Sequence, residues 1–131
     1  MVSEPYEYWD TNKREGRAIM SLKHAALLAG MGAMGKNSLL THPTYGNRLS
    51  FGAVLLPFAL EPDPLCEDRL CPETCHRCEE ACPVDAIHAG HVNQKRCRSH
   101  SGHTTPKGYA LTTCTICRQV CPSATGARKE N

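Results

Sequence analysis

Apolar residues with helical spacing stand in the first quarter of the chain. Along residues 17–29 they fall at spacings of three and four, at Ile19, Leu22, Ala25, Ala26 and Ala29. This pattern predicts a short amphipathic helix, and Gly30 is placed to end it. The preceding residues, 1–17, are polar and charged without a clear period, which predicts an arm or extension.

A continuous apolar run follows in the sequence RLSFGAVLLPFAL at residues 48–60. Its centre favours β-structure, and Pro57 and the EPDP turn at residues 61–64 bound it. The run predicts a buried strand of about six residues as the core element of the first half. The composition becomes cysteine-rich immediately afterwards. We therefore predict a division of the chain into a helix-and-strand segment, residues 1–64, and a second domain, residues 65–131.

Cysteine spacing is the strongest chemical signal in the second half. Four of the nine cysteines form the pattern C-x3-C-x2-C-x3-C-P at Cys71, Cys75, Cys78 and Cys82. The bacterial iron–sulfur run is C-x2-C-x2-C-x3-C-P, so only the first gap is one residue longer. A second set consists of the isolated Cys97 and a C-x2-C-x3-C-P ending at Cys114, Cys117 and Cys121. Two such sets predict two clusters.

The cysteine before proline in two-cluster ferredoxins ligates the other cluster. Applied to this chain, the first [4Fe-4S] cluster takes Cys71, Cys75, Cys78 and Cys121. The second [4Fe-4S] cluster takes Cys82, Cys97, Cys114 and Cys117. The ninth thiol, Cys66, is expected to be free. We therefore predict one-electron transfer through two neighbouring clusters.

The segments around the second set complete the predicted fold. Residues 84–87 and 90–94 are short enough to form a small hairpin between the two cysteine sets, and residues 99–113 have the composition of a surface loop. The tail, residues 123–131, is expected to be mobile. The predicted class is α+β, with a two-cluster bacterial ferredoxin-like module preceded by a helix-and-strand N-terminal segment.

Zinc is the competing metal, because C-x2-C pairs also suit a tetrahedral zinc site. His76, His100 and His103 are available as further ligands. Two Cys-Pro endings are much less usual for zinc than separated C-x2-C pairs. A structural zinc-binding module therefore stays as an alternative to the clusters.

Glycines at residues 30–35 spell the G-x-G-x-x-G pattern of dinucleotide-binding proteins. That fingerprint needs a strand before it and a helix within it, whereas a helix is predicted before Gly30. The same stretch reads G-x-x-x-x-G-K, but Asn37 stands where a phosphate loop needs Ser or Thr. Nucleotide binding is therefore not favoured. We expect the glycines to permit a close approach of the backbone to something large.

Charge and hydropathy restrict the possible binding partners and the cellular location of the protein. The formal net charge is +2 and the pI is about 8.1, which does not indicate nucleic-acid binding. The first ten residues contain no apolar signal core, and no apolar run is long enough to span a bilayer. We expect a cytoplasmic protein whose cysteines act as thiolate ligands. A basic group, Lys95, Arg96 and Arg98, is read as a solvated face or as a docking site for an acidic redox partner.

Several stretches, taken in order, resemble the epoxyqueuosine reductase-like family of corrinoid iron–sulfur reductases. They are SLKHAALLAGMGAMGKNSLL, YGNRLSFGAVLL, EPDP and the two cysteine quartets, which together cover about residues 17–122. The resemblance implies that a ferredoxin-like unit delivers electrons to cobalt, and that residues 30–37 lie near a corrinoid such as cobalamin. The family's large α/β corrinoid-binding domain stands ahead of this region, where this chain has about twenty residues.

The family's catalytic aspartate lies just upstream of the helix, where this chain has Gly16 and Arg17. No nucleophile with a neighbouring base is visible elsewhere, so no catalytic residue is predicted. The predicted function is a relay of single electrons from a low-potential donor to a redox acceptor on a partner, with a corrinoid as one candidate acceptor. The alternative is a minimal or fragmentary corrinoid-dependent reductase.

Overall fold

The structure, a computed structural model, describes residues 8–10, 15–17 and 20–126. The elements in chain order are β1 Tyr8–Asp10, β2 Glu15–Arg17, α1 Leu22–Leu28, β3 Ala33–Met34, β4 Leu40–Thr41, α2 Arg77–Glu80, β5 Ile87–His88, β6 His91–Val92, α3 Gln94–Ser101, β7 Gly102–Thr104, β8 Ala110–Thr112 and α4 Ile116–Gln119. Each strand pairs antiparallel with its neighbour in sequence, which forms four two-stranded sheets within the described part of the chain. Mixed helices and small antiparallel sheets confirm the α+β class.

Helix α1 confirms the predicted N-terminal helix with narrower bounds. It ends in a Schellman motif, in which the Met31 N–H donates to the Ala26 carbonyl at 3.0 Å and the Gly30 N–H donates to the Leu27 carbonyl at 3.1 Å. Gly30 has a φ of +71°, a left-handed conformation that this motif favours and that glycine adopts without strain. The predicted terminator is therefore correct.

The predicted buried strand at residues 48–60 is wrong. These residues form neither helix nor strand, and the side chains of Val54 and Leu55 are 84% and 90% exposed. Phe58 and Leu60 are exposed as well. An isolated strand leaves its backbone groups unpaired, and each sheet of the described chain already pairs two strands adjacent in sequence. The apolar run therefore lies on the surface of this chain.

The segment after the first cysteine set is more ordered than the sequence suggested. The hairpin predicted between the two sets is confirmed as β5 and β6, which pair Ile87 with Val92. The loop predicted at 99–113 is wrong, because α3 reaches Ser101 and strands β7 and β8 form a second hairpin. The predicted surface location is correct for both of these strands, which are exposed. The Asn93 side chain caps α3 by accepting from the Arg96 N–H at 3.1 Å. Part of the predicted mobile tail, residues 127–131, lies outside the described residues.

The glycine-rich segment does permit close backbone approach, and its neighbour is the chain's own backbone. A Cβ on Gly30 would stand 2.1 Å from the Pro64 carbonyl oxygen, and one on Gly32 would stand 2.1 Å from the Thr41 carbonyl oxygen. The segment follows α1 and leads into β3, which is not the strand-to-helix order of a dinucleotide fingerprint. The glycines thus allow tight packing of the first half of the chain.

The apolar core of the described residues is small. Its buried members are Ala26, Leu40, Cys78, Ala86, Ile87 and Ala124. Among the described residues, no helix is of a length and apolarity that would let it cross a bilayer. Backbone contacts add to the packing, because the Asn47 N–H donates to the Ala124 carbonyl at 3.2 Å. The turn after the last cysteine therefore packs on the segment around Gly46.

Substitution of Gly46 tests this packing. Gly46 has a φ of +69°, and a Cβ there would lie 2.2 Å from the Ala124 carbonyl oxygen. Gly90 has a similar φ of +78° but open space around the same position. We expect Gly90→Ala to cost about 1–2 kcal/mol through backbone strain alone, and Gly46→Ala to cost roughly 3 kcal/mol or more because the neighbouring backbone must also move. Urea unfolding of both variants measures the difference, and equal losses would contradict the packing.

Candidate metal centre

The two C-x2-C-x3-C-P runs fold in the same way. In each, a one-turn helix begins two residues after the first cysteine and ends two residues before the cysteine that precedes proline, as α2 and α4 show. The middle cysteines, Cys78 and Cys117, therefore lie within these helices. The two helices contact each other. The contact between α2 and α4 brings the two cysteine segments side by side.

The four thiols predicted for the first cluster line one cavity. They are Cys71, Cys75, Cys78 and Cys121. The four cysteines assigned to the other cluster do not line it. Burial raises the pKa of the Cys78 thiol to about 11, and the neighbouring Cys71 charge adds to this shift. Burial also raises the pKa of Cys121, with further contributions from Cys71 and Cys75. The thiol from the second segment thus lies among three from the first.

The second predicted quartet is grouped around Cys117. Burial raises the pKa of the Cys117 thiol, and the charges that raise it further belong to Cys97, Cys114 and Cys82. These three cysteines are the remaining members of the predicted set. The Cys82 sulfur also accepts a hydrogen bond from the Ala86 N–H at 3.2 Å. The charge of Cys82, the cysteine before Pro83, thus acts on a thiol of the second segment, and the assignment of Cys82 to the second cluster stays a prediction.

The two quartets are adjacent. A charge on Cys117 is among the smaller causes that raise the pKa of Cys78, so each central thiol lies within electrostatic range of the other. Burial raises the pKa of both central thiols, which favours their protonated forms. Metal binding requires thiolates and therefore releases these protons.

The histidines named as alternative zinc ligands do not line the cavity of the four thiols. His76 is paired with the Glu79 carboxylate at 2.5 Å, and His100 and His103 are exposed. Within residues 20–126, no three His, Cys, Asp or Glu side chains are arranged, as they stand, to hold a metal ion. A four-iron cluster binds one thiolate at each iron, so its ligands surround a group of atoms rather than a single ion. The identity of the metal stays a prediction.

Residues of the β3–β4 connection and of β4 also line the first cavity, and they were not predicted from the sequence. Gly35, Lys36, Asn37 and Thr41 lie there with the four thiols. The Lys36 Nζ donates to the carbonyls of Glu73 and Cys75, at 2.5 and 2.8 Å. The available signal was a Gly-Lys-Asn sequence that fits no phosphate loop. A corrinoid near residues 30–37 stays a prediction.

The remaining cysteine and the basic group stand apart from the first cavity. The Cys66 thiol is 4.0 Å from the Asp68 carboxylate and does not line the cavity. On α3, Cys97 is flanked by exposed basic residues, of which Arg96 pairs with Asp85 at 3.7 Å. Partial burial of its guanidinium lowers the pKa of Arg98, although the residue as a whole is exposed. A free Cys66 and a docking role for the basic group both stay predictions.

Comparison with known proteins gives the context of the site. No family model matches the chain. The chain is 32% identical over 123 residues to the epoxyqueuosine reductase of Bacillus subtilis, which covers 86% of this chain and 30% of that protein. It is 35% identical over 104 residues to the enzyme of the same name from Listeria monocytogenes, with 72% and 27% covered.

Solved structures agree with the sequence comparison. The epoxyqueuosine reductase of Bacillus subtilis superposes with a TM-score of 0.59 at 28% identity, over 85% of this chain and 32% of that one. The chain is homologous to a part of the epoxyqueuosine reductases. The Streptococcus thermophilus epoxyqueuosine reductase has a TM-score of 0.65 at 23% identity, over 88% of this chain and 34% of that one, and shows the shared fold. The predicted family resemblance is therefore confirmed.

The homology covers only part of each epoxyqueuosine reductase. This chain spans about a third of the length of the relatives that it matches. Those relatives are named as reductases, so the chain is similar to part of a redox enzyme.

Proposed function

We propose that this chain transfers single electrons through two [4Fe-4S] clusters held by its two cysteine quartets. The observation that carries the proposal is the cavity lined by Cys71, Cys75, Cys78 and Cys121. Its ligands come from two segments of the chain, as in a two-cluster ferredoxin. The second quartet, Cys82, Cys97, Cys114 and Cys117, completes the pair of sites.

The donor chemistry fits the proposed cofactor. Four cysteine thiolates are the usual ligand set of a [4Fe-4S] cluster, which supplies one-electron redox chemistry when bound. The exchange of Cys82 and Cys121 between the sites ties the two cysteine segments together. The Ala86 N–H bond to the Cys82 sulfur is the type of contact that adjusts the potential of such a site.

Residues 65–131 would form the ferredoxin-like module, and residues 1–64 would pack on it. Lys36 supports this packing through its bonds to residues 73 and 75. Asn37 supports it through a 3.2 Å bond from its Nδ2 to the Cys117 carbonyl. The boundary at residue 64 would then separate two segments that share one interface.

The proposed electron donor and acceptor are separate low-potential and redox-active proteins or domains in the cytoplasm. Family resemblance makes a corrinoid the first candidate for the accepting centre. The exposed basic residues on α3, beside Cys97, would suit an acidic redox partner.

Anaerobic metal and sulfide analysis tests the proposal. We expect about eight iron and eight sulfide per chain after reconstitution, from two four-iron clusters. Zinc without sulfide would reject the proposal and support the structural zinc module. About half of that iron and sulfide would mean that only one of the two proposed sites holds a cluster.

A second candidate function is that of a minimal corrinoid-dependent reductase, which the homology to epoxyqueuosine reductases favours. Titration of the reconstituted protein with cobalamin, followed by the absorption spectrum of the cobalt, distinguishes it from a pure electron carrier. A spectral change that saturates supports a corrinoid site. The absence of binding would reject this second candidate and leave the electron relay intact.

A further inference from the structure

Lys36 lies across the loop that presents the first ligands. Its Nζ donates to the Glu73 carbonyl and to the Cys75 carbonyl, and its side chain lines the cavity shared by the four thiols of the first quartet. It is only partly exposed. A positive charge is therefore held against the backbone of a ligand residue, on a connection that is 39 residues away in sequence.

The next residue makes a matching contact without a charge. The buried Asn37 donates from Nδ2 to the Cys117 carbonyl at 3.2 Å, and its Oδ1 accepts from the Leu39 N–H. Lys36 and Asn37 thus hold one cysteine segment each. Only the segment that presents Cys75 receives a positive charge from this connection. The electrostatic surroundings of the two proposed clusters therefore differ.

The positive charge of Lys36 is not neutralised by a direct ion pair within the described residues. Among the described residues, its Nζ has two carbonyl partners and no carboxylate within 4.0 Å. The pKa of the Glu79 carboxyl is lowered chiefly by its hydrogen bond to His76, and Lys36 contributes less. Arg77 lines the same cavity but is exposed, where water and salt screen its charge. Lys36 is therefore the less screened of the two cations at this cavity.

We propose that Lys36 is a positioning residue that raises the reduction potential of the first cluster by fixing a positive charge beside its ligand loop. This inference rests on the proposed function, since it concerns the cluster held by Cys71, Cys75, Cys78 and Cys121. Reduction adds one negative charge to the site. A fixed cation nearby stabilises that added charge, most strongly where the surroundings are of low dielectric constant. Net charge is among the features that set the potentials of such clusters.

The test compares Lys36→Met and Lys36→Gln, which remove the charge, with Lys36→Arg, which keeps it. Each is combined with Cys82→Ala, which should leave only the first cluster, and separately with Cys71→Ala, which should leave only the second. Midpoint potentials are measured by redox titration followed by electron paramagnetic resonance. The matched control is Lys23→Met, because Lys23 also donates to a carbonyl of this connection, that of Ser38 at 2.7 Å, but does not line the cavity.

We expect both uncharged variants to disfavour reduction of the first cluster about tenfold, which lowers a one-electron potential by about 59 mV. The second cluster should change less, and Lys36→Arg and Lys23→Met should leave the first close to its original potential. An unchanged potential in Lys36→Met would overturn the inference. Loss of the first cluster from both uncharged variants would also overturn it, because a purely structural role would then explain Lys36.

The iron and sulfide content of the unsubstituted chain shows which of the two proposals has failed, the role of Lys36 or the function on which it rests. A chain without iron and sulfide rejects the proposed function itself. A chain with both clusters but no charge-dependent potential rejects only the role of Lys36.

Discussion

The Cys82→Ala protein is expected to keep about four iron and four sulfide per chain, half of the proposed complement. Cys82 is grouped with Cys97, Cys114 and Cys117 through the electrostatic neighbours of Cys117. Its loss should therefore empty the second site, although Cys82 belongs to the first run in sequence. Iron and sulfide analysis after anaerobic reconstitution measures the result.

Paired substitutions decide how the ligands are shared. Cys82 and Cys97 belong to one site in the proposed arrangement, so the double Ala variant should also keep about four iron. The double variant of Cys71 and Cys82 should lose both clusters. If each run of cysteines instead held its own cluster, the Cys82 and Cys97 double variant would lose both clusters. The Cys71 and Cys82 double variant would then keep about four iron. Cys66→Ala is the matched control and should keep the full complement, since its thiol contacts Asp68 instead. Loss of iron from this control would contradict the ligand assignment.

Removal of the metal is expected to unfold most of the second half of the chain. Of the buried apolar residues in the described chain, only Leu40 and Ile87 have large aliphatic side chains. Ligand bonds to two clusters would replace the cohesion that such a core cannot supply. We expect the melting temperature of the metal-free, reduced protein to fall by roughly 20 °C or more, which is about 4 kcal/mol or more for a domain of this size.

Far-UV circular dichroism during thermal unfolding, before and after chelation under reducing conditions, measures this loss. Re-addition of iron and sulfide should restore the original transition. The Cys82→Ala protein provides a graded control, because one remaining cluster should give an intermediate melting temperature. A metal-free protein with an unchanged transition would show that the small core is sufficient and would contradict the proposed structural role of the clusters.

Local patterns in the sequence predicted the elements that depend on neighbouring residues. The helix at α1 and its Gly30 terminator follow from apolar spacing and a glycine that adopts a positive φ. The β5–β6 hairpin was predicted from a short return between cysteine sets. Helix α3 was missed because its core-facing signal is weak: it is rich in Lys, Arg and Ser, and its start is set by the Asn93 cap.

The apolar run at residues 48–60 shows the limit of local patterns. Its Val and Leu content indicates a buried strand, but burial of a strand depends on a second element that supplies hydrogen bonds and a covering face. The described part of this chain places no such element beside it, and Val54 and Leu55 are exposed. An apolar sequence pattern indicates the structure that a segment can form when another element packs on it. The tertiary structure decides whether such an element is present.

The sequence by itself determined the candidate donors of the site: eight cysteines whose spacing and Cys-Pro endings predict two clusters. Their number and order are covalent properties, whereas the one-turn helix within each run was found only in the structure. Only the tertiary structure brought Lys36 and Asn37 to the two cysteine segments, across 39 and 80 residues of chain. Contacts over such separations arise from the packing of whole segments, so no local pattern around Lys36 contains them.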